Sequence, residues 1–183
     1  MVERVGPIFV AVTVPPDVAA ALFDRLGSLD IPGKIAPPEN WHITLRYLGR
    51  VEEVVYDRFL HAIDGAYVGA PFRVGLGGLG AFPRPKKATV VWIAVSKGSE
   101  RLGELAAISE EAAQTAGLAA EERPFRPHLT LSRVRPPVDV TALTSGPPPL
   151  AVDWRCTSIT VCRSVPGPGG VSYQPLDSFR LSR

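Results

Sequence analysis

Two short stretches of the chain place a histidine and a threonine two residues apart. Residues 41–45 read Trp-His-Ile-Thr-Leu and residues 127–131 read Pro-His-Leu-Thr-Leu. Side chains two apart on a β-strand share a face, so each His lies beside its Thr. Two imidazoles can divide general acid and general base work, and two hydroxyls can donate to phosphate oxygens. The spacing predicts a site for phosphoryl chemistry made of His42, Thr44, His128 and Thr130.

A single His-x-Thr on a strand is more often an ordinary structural histidine than a catalytic one. Here the pattern occurs twice, each time with an apolar residue between His and Thr and a Leu after the Thr. This repetition favours the catalytic interpretation. The third histidine, His61, lies on the polar side of a predicted helix between Asp57 and Asp64, and is expected at the surface.

The elements that must position these pairs follow from hydrophobic periodicity and from Pro and Gly breaks. Helices are predicted at about 16–27, 52–67 and 100–116, the last capped by Ser99 and ended by Gly117. The loop at 31–40 precedes the first His strand. Residues 136–149 are expected to be irregular, with a short helical turn at most. Strands are predicted at 8–14, 41–48, 72–80, 88–95, 127–134, 151–164 and 171–176.

This order indicates an α+β fold in a single bilobal domain spanning 1–183. We expect two mainly antiparallel sheets that face a central cleft, with helices outside and a pseudo-twofold relation between the His strands.

Composition excludes several classes of protein. The formal net charge is only +2, and no apolar run approaches the ~18 residues of a membrane span, so no membrane partner is expected. Cys156 and Cys162 lie in one predicted strand, too far apart to bridge. Together with a start that lacks a signal-peptide pattern, they favour a cytoplasmic protein. The Gly-x-Gly-x-x-Gly run at 75–80 is not a dinucleotide site, because Pro83 and Pro85 block the helix that such a site needs.

The chain resembles the two-histidine (2H) phosphoesterase superfamily, and within it the LigT-like RNA 2',3'-cyclic phosphodiesterases, also called the 2'-5' RNA ligase family. The resemblance covers nearly the whole chain in order. Besides both His-x-Thr stretches and their flanks (residues 40–49 and 123–133), it is carried by Phe9-Val10-Ala11, by Gly80-Ala81-Phe82-Pro83 and by Val91-Trp92.

The resemblance implies a function and roles for the paired residues. It implies metal-independent opening of a 2',3'-cyclic phosphate at an RNA end to leave a 2'-phosphate, with no cofactor. His42 would protonate the leaving 3'-oxygen and His128 would activate water, although the reverse assignment stays open. Thr44 and Thr130 would hold the phosphate. The partner is then an RNA or oligonucleotide with a cyclic phosphate end, bound by a monomer.

An arginine is also expected at the phosphate, and two candidates compete. The resemblance implies Arg133, five residues after the second His. Strand parity favours Arg46 instead, because 42, 44 and 46 share a face whereas 133 reaches the face of His128 only across a bulge.

Phe125 and Phe82 are candidates for stacking on a base, although core packing is the alternative for both.

Other functions remain open at this stage. The same site suits a small cyclic nucleotide or a cyclic phosphate derived from ADP-ribose, and the resemblance also implies reversible joining of RNA ends through a 2'-5' linkage. A different class, a non-catalytic protein that binds RNA ends, is less consistent with two intact His and Thr pairs.

Overall fold

A computed structural model describes residues 4–146 and 151–182 of the chain. The predicted antiparallel α+β architecture is confirmed. Helices are α1 (Pro16–Leu26), α2 (Glu53–Asp64), α3 (Ser99–Thr115) and α4 (Thr141–Ser145). Strands are β1 (Arg4–Thr13), β2 (Lys34–Ile35), β3 (His42–Glu52), β4 (Phe72–Phe82), β5 (Ala88–Lys97), β6 (His128–Val138), β7 (Val152–Cys156), β8 (Ser158–Gly167) and β9 (Gly170–Arg180). None of these helices is long and apolar enough to cross a membrane.

The strands form one curled sheet in the order β7-β4-β5-β6-β3-β1-β8-β9, with β2 beside β6. The two sheets expected from the sequence are the two halves of this sheet. One half is β7-β4-β5-β6 and the other is β3-β1-β8-β9. They meet where β3 and β6 pair antiparallel at Ile43 and Leu129. The junction between the halves therefore lies inside the two His-x-Thr stretches.

The two faces of the sheet have different surroundings. On β1, Ile8, Val10 and Val12 belong to the main core, which also includes apolar residues of α1, α2 and α3. The alternate residues Phe9 and Ala11 belong to a small second cluster with Cys162. The helices thus cover one face, and the opposite face, called the cleft face below, is left for the site.

Several predicted boundaries were wrong. The single strand predicted at 151–164 is two strands, since the chain leaves β7 at one end of the sheet and enters β8 in the other half after Thr157. Gly98, in a left-handed conformation, is the residue before α3, and Ser99 does not cap the helix. Both His strands are longer than predicted. Of the segment 136–149, the start continues β6 and α4 follows, while 147–149 lie outside the described residues.

Candidate active site

The four predicted site residues come together at the junction of the two halves. Ile43 and Leu129, each fully buried, are direct partners on antiparallel strands. In this register His42 lies opposite Thr130, and Thr44 lies opposite His128. Opposite side chains share a face with Cβ atoms about 4.5–5.5 Å apart. The pairing therefore puts two imidazoles and two hydroxyls in one group on the cleft face.

Both histidines are held in the same way. His42 Nδ1 bonds the carbonyl of Asn40 at 2.7 Å, and His128 Nδ1 bonds the carbonyl of Arg126 at 2.6 Å. A carbonyl only accepts, so each Nδ1 carries the proton and each Nε2 of a neutral ring is an acceptor. The Thr44 hydroxyl donates to His42 Nε2 at 3.1 Å. The His42 ring is thus oriented with its basic nitrogen toward the Thr44 hydroxyl.

Burial lowers the pKa of both histidines below 6.5. For His42 the hydrogen bond to Asn40 opposes this shift, while the charge of His128 adds to it. For His128 the bond to Arg126 again opposes the shift, and the positive charge of Arg133 adds to it. Both rings are therefore mainly neutral at pH 7, the form in which Nε2 can accept a proton.

Each histidine ring is flanked by two aromatic side chains. Phe9 and Tyr173 lie 4.7 Å and 4.9 Å from the His42 ring, between ring centroids. Phe82 and Trp92 lie 5.1 Å and 5.8 Å from the His128 ring. These neighbours explain the burial that lowers both pKa values. Beside His42 a cavity of about 250 Å³ opens, and its wall includes Phe9, Asn40 and Tyr173.

The glycine run at 75–80 has a structural role beside His128. It lies in β4, and Gly80 is the register partner of Trp92 on β5. A Cβ added at Gly80 would lie 2.3 Å from the Trp92 ring. Because only glycine at position 80 lets the indole lie across β4 and reach His128, Gly80 borders the site. The run lies in a strand, which agrees with the exclusion of a dinucleotide role.

A bulge in β6 brings Arg133 to the cleft face. Trp92 pairs with Thr130, whereas the next residue of β5, Val91, pairs with Ser132, so β6 has one extra residue at this point. The parity of β6 changes there, and Arg133 pairs with Val90, which shares a face with Trp92. The charge of Arg133 acts on both His128 and Tyr173.

Arg46 is not at the site, which corrects the expectation from strand parity. Val10 pairs with Arg46 but its neighbour Ala11 pairs with Thr44, so β3 also bulges after its Thr. Arg46 therefore shares the core face with Val10. There it forms an ion pair with Glu110 of α3 and donates to the Ala119 carbonyl at 2.6 Å. Its role is structural.

The bulge in β3 puts Tyr47 on the cleft face instead. Tyr47 pairs with Phe9, the ring that contacts His42, and its side chain is about half exposed at 51%. Tyr47 follows His42 by the same interval as Arg133 follows His128. The two strands therefore present different residues, a tyrosine and an arginine, at equivalent places.

The two phenylalanines considered for base stacking have different surroundings in the structure. Phe82 borders the site through His128 and Trp92. Phe125 is partly buried and packs against the main core, so for Phe125 the core alternative is the better description. His61 is exposed on α2, as predicted. Phe9, Trp92 and Tyr173 were not identified as site residues from the sequence, although Phe9 and Trp92 lie in the stretches that carry the resemblance.

Within residues 4–146 and 151–182, no group of three or more His, Cys, Asp or Glu side chains is placed to hold a metal ion. Cys156 and Cys162 are buried and not bonded to each other. Burial raises the pKa of both thiols to about 11, so neither is a thiolate at neutral pH.

Comparison with known families agrees with the resemblance. Residues 14–167 match the profile of the 2'-5' RNA ligase superfamily. An RNA 2',3'-cyclic phosphodiesterase of Aeropyrum pernix is 36% identical over 124 residues, which are 68% of this chain and 70% of that protein. The protein of the same name from Thermus thermophilus is 32% identical over 186 residues, covering 95% of this chain and 89% of the relative.

Solved structures share the fold. The crystal structure of Escherichia coli LigT complexed with 3'-AMP superposes with a TM-score of 0.84 at 24% identity, covering 99% of this chain and 100% of that one. The crystal structure of TT0787 of Thermus thermophilus gives a TM-score of 0.77 at 28% identity, with 98% of each chain covered. The overall curled sheet is therefore a known architecture.

Proposed function

Because the chain belongs to the 2'-5' RNA ligase superfamily, we propose that it is an RNA 2',3'-cyclic phosphodiesterase that leaves a 2'-phosphate. The observation that carries the proposal is the antiparallel pairing of two His-x-Thr stretches on one face of the sheet. Relatives that share 30% or more identity bear the name of this activity.

In the proposed reaction, water attacks the phosphorus of the cyclic phosphate and the bond from phosphorus to the 3'-oxygen breaks. His128 Nε2 takes a proton from the water, and a protonated His42 gives one to the departing 3'-oxygen. The product carries a 2'-phosphate and a free 3'-hydroxyl. The matching Nδ1 bonds to backbone carbonyls support these roles, because they leave both Nε2 atoms available for proton transfer.

The phosphate oxygens are proposed to accept hydrogen bonds from the hydroxyls of Thr44 and Thr130 and from the guanidinium of Arg133. Charge builds on these oxygens as water attacks, and donors aimed at that charge lower the barrier. The bulge that turns Arg133 to the cleft face supports its inclusion. The aromatic rings beside each histidine limit water around the reacting groups and thereby strengthen these contacts.

The proposal is tested with an oligonucleotide that ends in a 2',3'-cyclic phosphate, incubated with the pure protein in excess chelator. We expect ring opening at the same rate with and without chelator, since the proposed steps use only side chains. Chromatographic separation of 2'- and 3'-phosphate standards identifies the product. Loss of activity on chelation would overturn the metal-independent mechanism, and no opening under either condition would overturn the function.

Strand joining is a second candidate, favoured by the superfamily to which the chain belongs. A 5'-hydroxyl of another RNA would replace water as the nucleophile, and a 2'-5' linkage would form through an analogous transition state as the 3'-oxygen departs. Water is in large excess, so hydrolysis is expected to dominate. Adding a 5'-hydroxyl oligonucleotide to the assay should yield a minor ligated product that His128→Ala abolishes.

A further inference from the structure

Beside Arg133 lies a second cation that the proposed reaction does not use. Lys34 on β2 is the register partner of Arg133 on β6. Direct partners on neighbouring strands point to the same face, so Lys34 extends the cleft face by one strand beyond Arg133. Its side chain is exposed to solvent. The two positive charges thus lie side by side at one end of the cleft.

The Lys34 ammonium is held toward the half of the molecule that contains His42. Nζ donates to the Gly169 carbonyl at 3.0 Å. Gly169 is at the tip of the β8–β9 hairpin, and Tyr173 on that hairpin contacts the His42 ring. An ammonium has three donors, so two remain after the bond to Gly169. In the part of the chain that the structure describes, neither Lys34 nor Arg133 forms an ion pair with a carboxylate.

The equivalent place on the other His strand carries no positive charge. Tyr47 takes the place equivalent to Arg133. The position five residues after each His is therefore a neutral tyrosine on β3 and a cationic arginine on β6, which gives the cleft a direction that a polyanion can follow.

We propose that Lys34 binds the phosphate that links the terminal nucleotide to the one before it, and so makes the enzyme prefer oligonucleotides to cyclic mononucleotides. The cyclic phosphate itself is a single anion already surrounded by the two His-x-Thr pairs and Arg133. A mononucleoside 2',3'-cyclic phosphate has no further phosphate for Lys34 to bind, whereas every oligonucleotide end has one. This inference rests on the proposed function of the site.

The test compares kcat/KM for a mononucleoside 2',3'-cyclic phosphate and for a dinucleotide that ends in the same cyclic phosphate. We expect Lys34→Gln to lower the dinucleotide value about tenfold, as for loss of one charge-assisted contact, and to leave the mononucleotide value unchanged. The slope of log(kcat/KM) against log salt for the dinucleotide should become less steep by about 0.7. Lys34→Arg, which keeps the cation, should retain the preference.

Lys97→Gln is the matched control, because Lys97 is another exposed lysine but its Nζ bonds Asp153 at 3.3 Å on the β4–β7 side of the sheet. It should leave the ratio of the two substrates unchanged. Equal losses on both substrates, or no loss on either, would overturn the role of Lys34 while leaving the proposed function intact. Failure of the unmodified protein to open either substrate would overturn the proposed function itself.

Discussion

The two His strands, β3 and β6, have the same geometry but carry different chemistry. Each pairs with its neighbour in register up to the Thr and then bulges by one residue. After the bulge, β3 buries Arg46 and exposes Tyr47, whereas β6 buries Ser132 and turns Arg133 to the cleft face. The same backbone geometry, repeated, thus yields two similar His–Thr pairs but places an arginine after only one of them, which suits a substrate with a direction.

Removing either histidine should have the largest effect. His42→Ala and His128→Ala are each expected to lower kcat by ~10²–10⁴-fold, because each removes one partner of a general acid–base pair. Steady-state kinetics on a cyclic-phosphate dinucleotide measures this. His61→Ala, on the exposed face of α2, is the control and should stay near the unmodified rate. A near-native rate for either site variant, with native unfolding temperature, would exclude the two-histidine mechanism.

The next largest effect should distinguish Arg133 from Tyr47, the residues at equivalent places after the two bulges. Arg133→Gln should lower kcat by roughly 10²-fold, the scale for losing a donor to transition-state charge. Tyr47→Phe should change kcat less than about threefold, since the proposed chemistry uses no group of Tyr47. The comparison is of kcat at saturating dinucleotide. Equal losses in the two variants would mean that the ends of the cleft are equivalent, contrary to the asymmetry described above.

The pH dependence distinguishes the two histidines more finely. Both pKa values are lowered in the free protein, and kcat/KM needs one ring neutral and the other protonated. The bell-shaped profile should therefore centre below pH 6.5. Arg133 lowers the pKa of His128, so Arg133→Gln should move one limb to higher pH. A profile centred above 6.5, or one unchanged in Arg133→Gln, would contradict this electrostatic account.

The two backbone carbonyls that orient the histidine rings differ in how they are held, and the expected effect on kcat is smaller. Asn40 holds its carbonyl toward His42 while its Nδ2 donates to the Val171 carbonyl on β9 at 2.7 Å. The Arg126 side chain is exposed. We expect Asn40→Ala to lower kcat several-fold and to move one limb of the profile to lower pH, because a weaker bond to Nδ1–H raises the pKa of His42 less. Arg126→Ala should change neither kcat nor the pH profile. A shift of the profile in both variants would argue against a role of the Asn40 side chain in orienting His42.

Arg46→Ala should affect stability alone. Its guanidinium is mostly buried against Glu110 of α3, with the Arg46 side chain 10% exposed. Removing one partner of such a pair leaves the other charge poorly solvated, at a cost of about 2–3 kcal/mol. Denaturant unfolding should show this loss while kcat at 25 °C stays within about twofold. A large fall in kcat with an unchanged free energy of unfolding would indicate that Arg46 acts at the site.

The sequence predicts those parts of the site that depend on local alternation. His42 and Thr44 share a face because they lie two apart on a strand, and the same holds for His128 and Thr130. The bulges were not predictable, since the residues around Leu45 and Leu131 contain no Gly or Pro that would mark a break. Parity therefore selected Arg46 wrongly, and Arg133 was reached only through the family resemblance.

Contacts between strands that are distant in the sequence were also not predicted. Tyr173 meets His42 only because β9 returns beside β8, and Trp92 reaches His128 only because Gly80 leaves room on β4. Residues 151–164 contain no Gly or Pro, so the sequence around Thr157 likewise gives no local sign that the chain crosses from one half of the sheet to the other. Such features arise from the topology of the sheet, which periodicity along one segment does not encode.

The most direct test of the central claim follows the phosphorus itself. A dinucleotide with a 2',3'-cyclic phosphate is incubated with the protein and excess chelator in ¹⁸O-enriched water, and the product is observed by phosphorus NMR. We predict a single 2'-phosphate resonance, shifted by one ¹⁸O atom, with no signal from His42→Ala or His128→Ala over the same time. A 3'-phosphate product, or a 2'-phosphate formed equally fast by either variant, would contradict the two-histidine account.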